Sequence, residues 1–434
     1  MNNFRTIAFA TVLLMVAGSG CVKSIDSHSA TTVSPGTTAA SSSVVYTPFG
    51  PRRASDVIHL EAGYHLRWDG DHLLKVDRSG NAVLDLGRQE PLSYLRKTER
   101  GVRMIDEDKE GAPPVPTLGS GWITDGSLPQ QSPVTYFATT WIVPTTPPAN
   151  DGQTLYLFNG LEDGLASTNH IFQPVLQFGP GPDIRNTGNN WYVDNWYASC
   201  STCPAIVGTP VQVTSTTSLT GVIQQTGQSG GSYSYSASFT GAAYDDATLA
   251  VDNVSPLTYP FETMEAYNMQ DANDYPADDY VRMSNINIQT GTGVYPATYW
   301  SANDIVTDIG QQTIIVSDKD PGGDVDLYFH SMPAITGGGT FTYTTGSPSG
   351  GGTVTGSAGR YVSVGMWASG KPGQTYSLRV SLTGSYFVSN NTGFQAVTDG
   401  SLSDGFYLPA SGTVTWQANY SASMSGFTGR LTLQ

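Results

Sequence analysis

The feature that most constrains the fold of this chain is its succession of short strand-like segments, in which successive side chains would lie on opposite faces. Turns that contain glycine and serine separate these segments. Outside the first twenty residues, no long stretch shows a helical period. The 434 residues include 49 Gly, 26 Pro and 23 Tyr, with many Ser and Thr. This composition is typical of strands joined by tight turns. The sequence therefore predicts an all-β protein, and its length predicts more than one domain.

Changes in composition divide the chain into five segments. Residues 1–20 carry Arg5 and an apolar run, which is the form of a secretory signal peptide. Residues 21–50 are rich in Ser, Thr and Ala, and we expect a disordered tether. Residues 51–116 are charged and predict a small β-rich pro-region or a spacer. Residues 117–330 alternate strand and turn throughout, which is enough for a two-sheet sandwich, and residues 331–434 predict a second, smaller β domain.

The small residues before Cys21 predict how the protein is exported. Gly18-Ser19-Gly20 followed by Cys21 resembles the lipobox of bacterial lipoproteins, in which that cysteine is lipidated after cleavage. Ordinary export without a lipid is the alternative. The apolar run is too short to span a membrane, and no later segment is long enough. We therefore expect an exported protein, either an outer-membrane or cell-surface lipoprotein or a secreted one, that meets a membrane only through a lipid on Cys21.

The charge of the chain, −16 at pH 7, is concentrated after residue 110. Residues 45–110 hold 11 Lys or Arg against 12 Asp or Glu, whereas residues 111–434 hold 7 against 23. So few cations exclude nucleic acid and anionic lipid as expected partners. A surface rich in carboxylates suits an acidic habitat, because it loses charge as the pH falls. The balanced leader predicts either a propeptide that covers the acidic domain electrostatically or a plain spacer.

Only three cysteines occur, and after Cys21 the remaining two form the short motif Cys200-Ser-Thr-Cys203. In a cytosolic protein this spacing would suggest a redox site or half of a zinc site. The export signal favours a small loop disulfide between Cys200 and Cys203 instead. No second Cys pair and no HExxH run is present, so we expect no metal and no other cofactor.

Two strand-like segments place polar side chains on one face of a sheet. In Ile171-Phe-Gln-Pro-Val-Leu-Gln-Phe178, Gln173, Val175 and Gln177 share a face, and Phe172, Leu176 and Phe178 share the apolar one. In Phe261-Glu-Thr-Met-Glu-Ala-Tyr267, the residues Phe261, Thr263, Glu265 and Tyr267 lie opposite Glu262, Met264 and Ala266. Glu262 and Glu265 therefore cannot both line one groove, which argues against a glycosidase carboxylate pair.

Several runs, taken in order, resemble the eqolisins, or glutamic peptidases, over residues of about 119–329. They are Tyr136–Pro144, Phe158–Glu162, Ile171–Gln173, Trp191–Tyr197 and Glu262–Glu265. The resemblance implies a double-sheet, concanavalin-like (jelly-roll) sandwich with a catalytic Gln and Glu on a concave face. Matched motif by motif, these residues are Gln173 and Glu265.

The resemblance and the strand alternation together predict which residues line the substrate groove. The family places a Trp where this chain has Phe158, and an Asp where it has Glu162. Alternation adds Gln177 and Tyr267. The aromatic residues Trp191, Tyr192, Trp196 and Tyr197 divide between two faces, and we assign Trp196 to the groove.

The resemblance implies an acid endopeptidase that acts on a polypeptide substrate without metal, and we expect a monomer; the chemistry of the two residues is compatible with this activity. A carboxylate can take a proton from water, and a neutral amide can stabilise an oxyanion. The alternative is a lectin-like sandwich that binds polysaccharide or peptide without cutting it. Two further motifs have structural explanations as well as chemical ones: Gly227–Gly231 predicts a glycine hairpin rather than a serine-nucleophile turn, and Asp318–Asp326 predicts a Pro-Gly-Gly hairpin rather than a calcium loop.

Overall fold

Strands account for nearly all regular structure in the computed structural model, which confirms the all-β prediction. It describes residues 43–98, 101–105, 118–164, 170–181, 187–331, 335–344, 349–356, 360–369, 376–383, 393–396, 400–409, 411–421 and 428–433. The signal peptide, Cys21 and residues 21–42 of the predicted tether lie outside this part of the chain. Within it, no helix is long and apolar enough to cross a membrane.

Eight strands and one 3₁₀ helix, Ala54–Asp56, belong to the segment before residue 106. The strands are β1 (Val44–Thr47), β2 (Gly50–Arg53), β3 (Val57–His59), β4 (His65–Asp69), β5 (His72–Val76), β6 (Ala82–Arg88), β7 (Leu95–Thr98) and β8 (Gly101–Met104).

The next fifteen strands carry the predicted sandwich, together with 3₁₀ helices Ala242–Ala247 and Ala272–Asp274. They are β9 (Gly121–Ser127), β10 (Tyr136–Ile142), β11 (Thr154–Glu162), β12 (Ile171–Pro180), β13 (Thr187–Ala198), β14 (Ala205–Val207), β15 (Val211–Val213), β16 (Ser218–Ser229), β17 (Ser232–Phe239), β18 (Leu249–Val254), β19 (Tyr259–Tyr267), β20 (Tyr280–Gln289), β21 (Ser301–Asp304), β22 (Gln312–Ser317) and β23 (Gly323–Tyr328).

Two large sheets face each other in the sandwich. The ten-stranded sheet has the order β22-β23-β20-β10-β16-β17-β18-β4-β5-β6. The nine-stranded sheet has the order β21-β9-β19-β11-β12-β13-β14-β3, with β15 paired to β13. The core between them takes the apolar face predicted for β12 and β19, including Phe172, Leu176 and Met264, and packs it with Trp141 and Ile223 of the other sheet.

Within the segment expected to form a small β unit, β3 to β6 are instead built into the two large sheets, whereas β7 and β8 pair only with each other. Strand β3 pairs in parallel with β14, and β4 pairs in parallel with β18. Residues 43–50, which we expected to lie in a disordered tether, form β1 and the turn into β2. The compositional signal there is weak, because only Tyr46 and Phe49 supply large apolar surface, and both bury it against the sandwich.

The last eight strands form two four-stranded sheets with their own core. The strands are β24 (Gly339–Thr344), β25 (Ser349–Thr355), β26 (Tyr361–Ser369), β27 (Tyr376–Thr383), β28 (Gly393–Ala396), β29 (Gly400–Tyr407), β30 (Thr413–Ser421) and β31 (Thr428–Leu433). The sheet orders are β24-β31-β26-β29 and β25-β30-β27-β28. Val362, Phe406, Trp416 and Leu431 lie in the core between them.

The two motifs with chemical alternatives both have structural roles. Gly230 and Gly231, at φ values of 58° and 90°, form the two-residue turn between β16 and β17. In the aspartate-rich run, Asp318 and Asp320 accept backbone hydrogen bonds from Trp300 and Ile288, each at 2.9 Å. Asp326 pairs with Arg282. The described part of the chain contains no group of three or more His, Cys, Asp or Glu side chains that could hold a metal ion.

Buried carboxyl groups predict that this fold is more stable in acid. Burial raises the pKa of Asp125, Asp320 and Asp326 to about 6 each. Because unfolded Asp titrates near about 3.9, the stability that these protonated groups contribute is complete below that pH and is lost as the pH rises through about 6. His170 acts in the opposite direction, since burial lowers its pKa to about 4.

We therefore expect the melting temperature to rise as the pH is lowered from 7 to about 4.5, because three aspartates outweigh one histidine. Thermal melts at constant ionic strength measure this. Asp125→Asn should make the dependence shallower. A melting temperature that falls steadily over the same interval would contradict the assignment.

Candidate functional site

The outer face of the nine-stranded sheet carries the predicted site residues. We call it the groove face; it is the face turned away from the ten-stranded sheet. Its side chains on the central strands are buried: Tyr156, Phe158, Gln173, Val175, Gln177, Asp194, Trp196, Phe261, Thr263, Glu265 and Tyr267. The predicted faces of β12 and β19 are thus confirmed, since their alternate residues lie in the core between the sheets.

The strand register shows that Gln173 and Glu265 share this face without being neighbours. Glu265 pairs with Tyr156 of β11, which pairs with Gln177 of β12. Gln173 lies level with Gly160, where an added Cβ would meet the Gln173 Cγ at 3.2 Å. Gly160 in turn pairs with Phe261.

This register separates the two proposed catalytic side chains by one strand and by four residues along the strands. With strands about 4.8 Å apart and a rise of about 3.3 Å per residue, their backbones lie about 10 Å apart across the sheet and about 13 Å apart along it. Gln177, level with Glu265, is therefore the nearer of the two glutamines. Sequence alternation assigned Gln177 to the groove but could not compare its distance with that of Gln173.

Glu265 lies in an apolar setting with one strong hydrogen bond. The Tyr267 hydroxyl donates to its Oε1, and its Oε2 has no partner among the described residues. Burial raises the pKa of Glu265 well above its ordinary value, although the Tyr267 hydrogen bond and the charge of Arg52 both lower it. In the covered site, Glu265 is therefore a neutral acid at pH values where an exposed Glu is ionised.

Other polar groups on the groove face are also buried without protein partners. Both amide atoms of Gln173 and of Gln177 lack a hydrogen bond to any described residue, as does the Thr263 hydroxyl. Unpaired buried polar groups are costly, at about 1–3 kcal/mol each, and therefore uncommon in folded proteins. On the groove face they belong to side chains of nearby strands, which is typical of a site that binds something polar.

The hairpin formed by β1 and β2 covers this face. The ring of Tyr46 stacks on that of Tyr267, with centroids 4.9 Å apart. The Tyr156 hydroxyl donates to the Tyr46 carbonyl oxygen at 2.8 Å. Phe49 meets Trp196 edge to face at 6.3 Å. The contacts of this cover are therefore largely apolar, whereas the sequence predicted either an electrostatic cover or a spacer for residues 51–116, and Tyr46 and Phe49 precede that segment.

One charged residue of the hairpin, Arg52, lies fully buried beside the turn that holds Cys200 and Cys203. Its Nε donates to the Cys203 carbonyl oxygen at 3.1 Å, and its Nη2 donates to that of Ser201 at 2.5 Å. The structure places Cys200 and Cys203 in a disulfide, which closes this turn. Burial lowers the pKa of Arg52 to about 10, so the guanidinium remains charged at neutral pH.

The remaining predicted residues occupy the expected face. Phe158 is level with Thr263 and Val175, and Glu162 lies at the end of β11, near the rim. Trp196 faces the groove, whereas Trp191 packs in the core. Glu262 lies between the two sheets, where the Thr139 hydroxyl donates to it at 2.5 Å.

Tyr156 and Asp194 belong to the groove face but were not identified from the sequence. Tyr156 lies between Gln177 and Glu265 in the register, and Asp194 accepts a hydrogen bond from the Trp196 indole at 2.9 Å. Alternation along β11 and β13 could have identified both. Tyr156 is two residues from Phe158, and Asp194 is two residues from Trp196, so each shares a face with a residue already assigned to the groove.

Structural comparison finds a distant likeness to glutamic peptidases. Scytalido-glutamic peptidase with a peptide-based transition state analog matches at a TM-score of 0.30 and 11% identity, over 47% of this chain and 97% of that one. The same peptidase with a transition state analog inhibitor matches at 0.30 and 13%, over 48% and 98%. SCP-B, a member of the Eqolisin family in complex with the tripeptide Ala-Ile-His, matches at 0.28 and 12%, over 48% and 98%. No protein-family model and no curated protein matches the sequence. These low scores carry no argument about the chemistry of the groove.

Replacing Glu265 with Gln should raise the melting temperature at pH 7 and leave it nearly unchanged at pH 4. Burial raises the pKa of the folded Glu265, so this residue lowers stability increasingly above its unfolded pKa of about 4.3, and a neutral amide removes that loss. Thermal melts of both proteins at both pH values measure the difference.

Glu61→Gln is the control of opposite sign. Lys75 lowers the pKa of Glu61, and this side chain is largely exposed, so the substitution should leave the melting temperature at pH 7 unchanged or slightly lower. Equal effects of the two substitutions would contradict the buried, protonated state of Glu265.

Proposed function

We propose that the groove face is the site of an acid-acting endopeptidase in which Glu265 is the general base and a glutamine amide stabilises the oxyanion. The observation that carries this proposal is the unpartnered carboxyl oxygen of Glu265 on the same face as the unpartnered amides of Gln173 and Gln177. These groups have free hydrogen-bonding capacity directed at whatever enters the groove.

The chemistry follows from the two group types. A carboxylate removes a proton from a water molecule as that water attacks the scissile carbonyl, and the resulting acid later protonates the leaving amine. A neutral amide N–H donates to the oxygen that becomes negative in the tetrahedral intermediate. The Tyr267 hydroxyl, which donates to Oε1, leaves Oε2 as the atom for water.

Different observations support each of the two glutamines as the hydrogen-bond donor to the oxyanion. Gln173 is the residue that the eqolisin motif identifies, and Gln177 is the residue that the register brings level with Glu265. Both positions are therefore part of the proposal, and substitution of each decides between them.

Acid activity follows from the carboxyl group once the groove is open. An exposed Glu has a pKa of about 4.3, so its base form is available in moderate acid. The proposed substrate is an unfolded polypeptide, and the acidic, cation-poor composition agrees with an exported protein in an acidic habitat. Export, a lipid on Cys21 and a monomeric state also remain proposals.

The test is cleavage of a denatured protein substrate between pH 3 and 7. It should use the wild-type chain and a chain in which Tyr46 and Phe49 of the covering hairpin are replaced by Ala. In the opened chain, we expect cleavage with an acid optimum near about pH 4, and Glu265→Gln should reduce it at least about 100-fold. Of Gln173→Ala and Gln177→Ala, the one that lowers kcat by about 10- to 100-fold identifies the oxyanion donor.

Glu262→Gln is the matched control, because it makes the same change on the same strand but on the face between the sheets. It should retain activity if folded, as judged by its thermal melt. Absence of cleavage by the opened chain that retains Glu265, or full activity of the opened chain with Glu265→Gln, would refute the peptidase proposal.

A second function, peptide binding without hydrolysis, is favoured by one observation. The motif-assigned Gln173 is four residues out of register with Glu265, which is too far for the two to share one water directly. Under this alternative, an opened groove binds unfolded polypeptide but does not cut it, and Glu265→Gln leaves the affinity within about twofold.

A further inference from the structure

The turn is the most buried part of the hairpin formed by β1 and β2. Residues 47–50 are all buried, whereas Val44 and Arg53 at the open end are exposed. Hairpin turns normally lie at the surface, because their backbone polar groups need water or partners. Here the turn supplies its own partners: the Thr47 hydroxyl donates to the Gly50 carbonyl oxygen at 2.8 Å and accepts from the Phe49 N–H at 3.2 Å.

The hairpin is held by side chains rather than by sheet pairing. β1 and β2 pair only with each other and share no ladder with either large sheet. What holds them is the Tyr46–Tyr267 stack, the Phe49–Trp196 contact and the two Arg52 hydrogen bonds to the disulfide turn. A segment held in this way can leave without breaking either sheet.

The contacts of the hairpin span the polar row of the groove face. Tyr46 reaches β19 next to Glu265, its carbonyl oxygen reaches Tyr156 on β11, and Phe49 reaches Trp196 on β13. On the face that the hairpin contacts, Glu265 is 2% exposed, and Gln173 and Gln177 are 0% exposed. No substrate can reach these groups while the hairpin is in place.

A second small hairpin packs against the turn of the first. β7 and β8 pair only with each other, and Val102 of β8 lies against Gly50, where an added Cβ would be 2.6 Å from the Val102 Cβ. Tyr94 adds a cation–π contact to Arg53 at 4.0 Å. Gly50, at φ 97°, permits both the turn and this close approach.

We propose that residues 44–53 are an internal ligand of the groove, a hairpin plug that excludes other polypeptides until it is displaced. Its recognition chemistry is an aromatic pair, Tyr46 and Phe49, flanked by the buried cation Arg52. The inference goes beyond the proposed function, because the plug excludes a substrate whether the groove cuts it or only binds it.

Separating the plug from the rest of the chain tests this directly. Ala54 and Ser55, just after β2, are both exposed. The recognition sequence of a specific protease inserted between them lets the chain be cut after folding, while β3 onward keeps its pairing. Binding of a fluorescent synthetic peptide of residues 43–54 to the cut chain, after removal of the released fragment, is then measured by anisotropy.

We expect the peptide to bind, and its Phe49→Ala and Tyr46→Ala versions to bind about 10- to 100-fold more weakly, since each loses a buried aromatic side chain. Val44→Ala is the matched control, because Val44 is 47% exposed, and its affinity should stay within about twofold. Failure of the wild-type peptide to bind, or equal affinities of the Phe49→Ala and Val44→Ala peptides, would overturn the plug.

The same cut chain separates this inference from the peptidase proposal. If the cut chain binds the peptide but cleaves no substrate, the plug proposal is supported and the peptidase proposal is refuted. If the uncut chain cleaves substrate as fast as the cut chain, the plug proposal is refuted and the peptidase proposal is supported. Thermal melts before and after cutting confirm that the sandwich remains folded.

Discussion

The nine-stranded sheet is covered on both faces, and the remaining features of the site follow from this constraint. One face packs on the ten-stranded sheet through Phe172, Leu176 and Met264. The other holds Gln173, Gln177, Thr263 and Glu265, yet it is buried as well, because the chain's own hairpin lies on it. Covering unpaired polar groups costs about 1–3 kcal/mol each. That cost is offset locally by the aromatic contacts of Tyr46 and Phe49, so the covered state depends on a few side chains.

Electrostatics in the groove depend on the same cover. Burial raises the pKa of Glu265 and so favours its neutral form, whereas Arg52, with a pKa of about 10, remains charged at neutral pH and donates to two carbonyl oxygens of the disulfide turn. When the hairpin leaves, water returns to Glu265, and the positive charge of Arg52 is removed from the groove. The group that is a buried acid in the covered protein then becomes an available base in moderate acid. Access and protonation state are thus coupled through one segment.

Much of this arrangement follows from local sequence rules. The resemblance to the eqolisins selected Gln173 and Glu265. Alternation placed Gln173 and Gln177 on one face of β12 and put Glu265 on the face of β19 opposite to Glu262, which lies between the sheets. It succeeded because side chains on a strand must alternate wherever both faces are distinguished by packing. It could not compare Gln173 with Gln177, since both have the same parity, and only pairing through β11 brings Gln177 level with Glu265.

By itself, the sequence determined an all-β chain, the faces of the two site strands and the disulfide-forming motif at Cys200 and Cys203, because these depend on neighbours within a few residues. Tertiary structure alone decided that residues 43–50 are ordered, that β3 and β4 join the large sheets, and that the groove is covered. The physical reason is the distance along the chain. Tyr46 contacts Tyr267, and Arg52 contacts Cys203, across long stretches of chain, so these contacts depend on how the strands between them are paired.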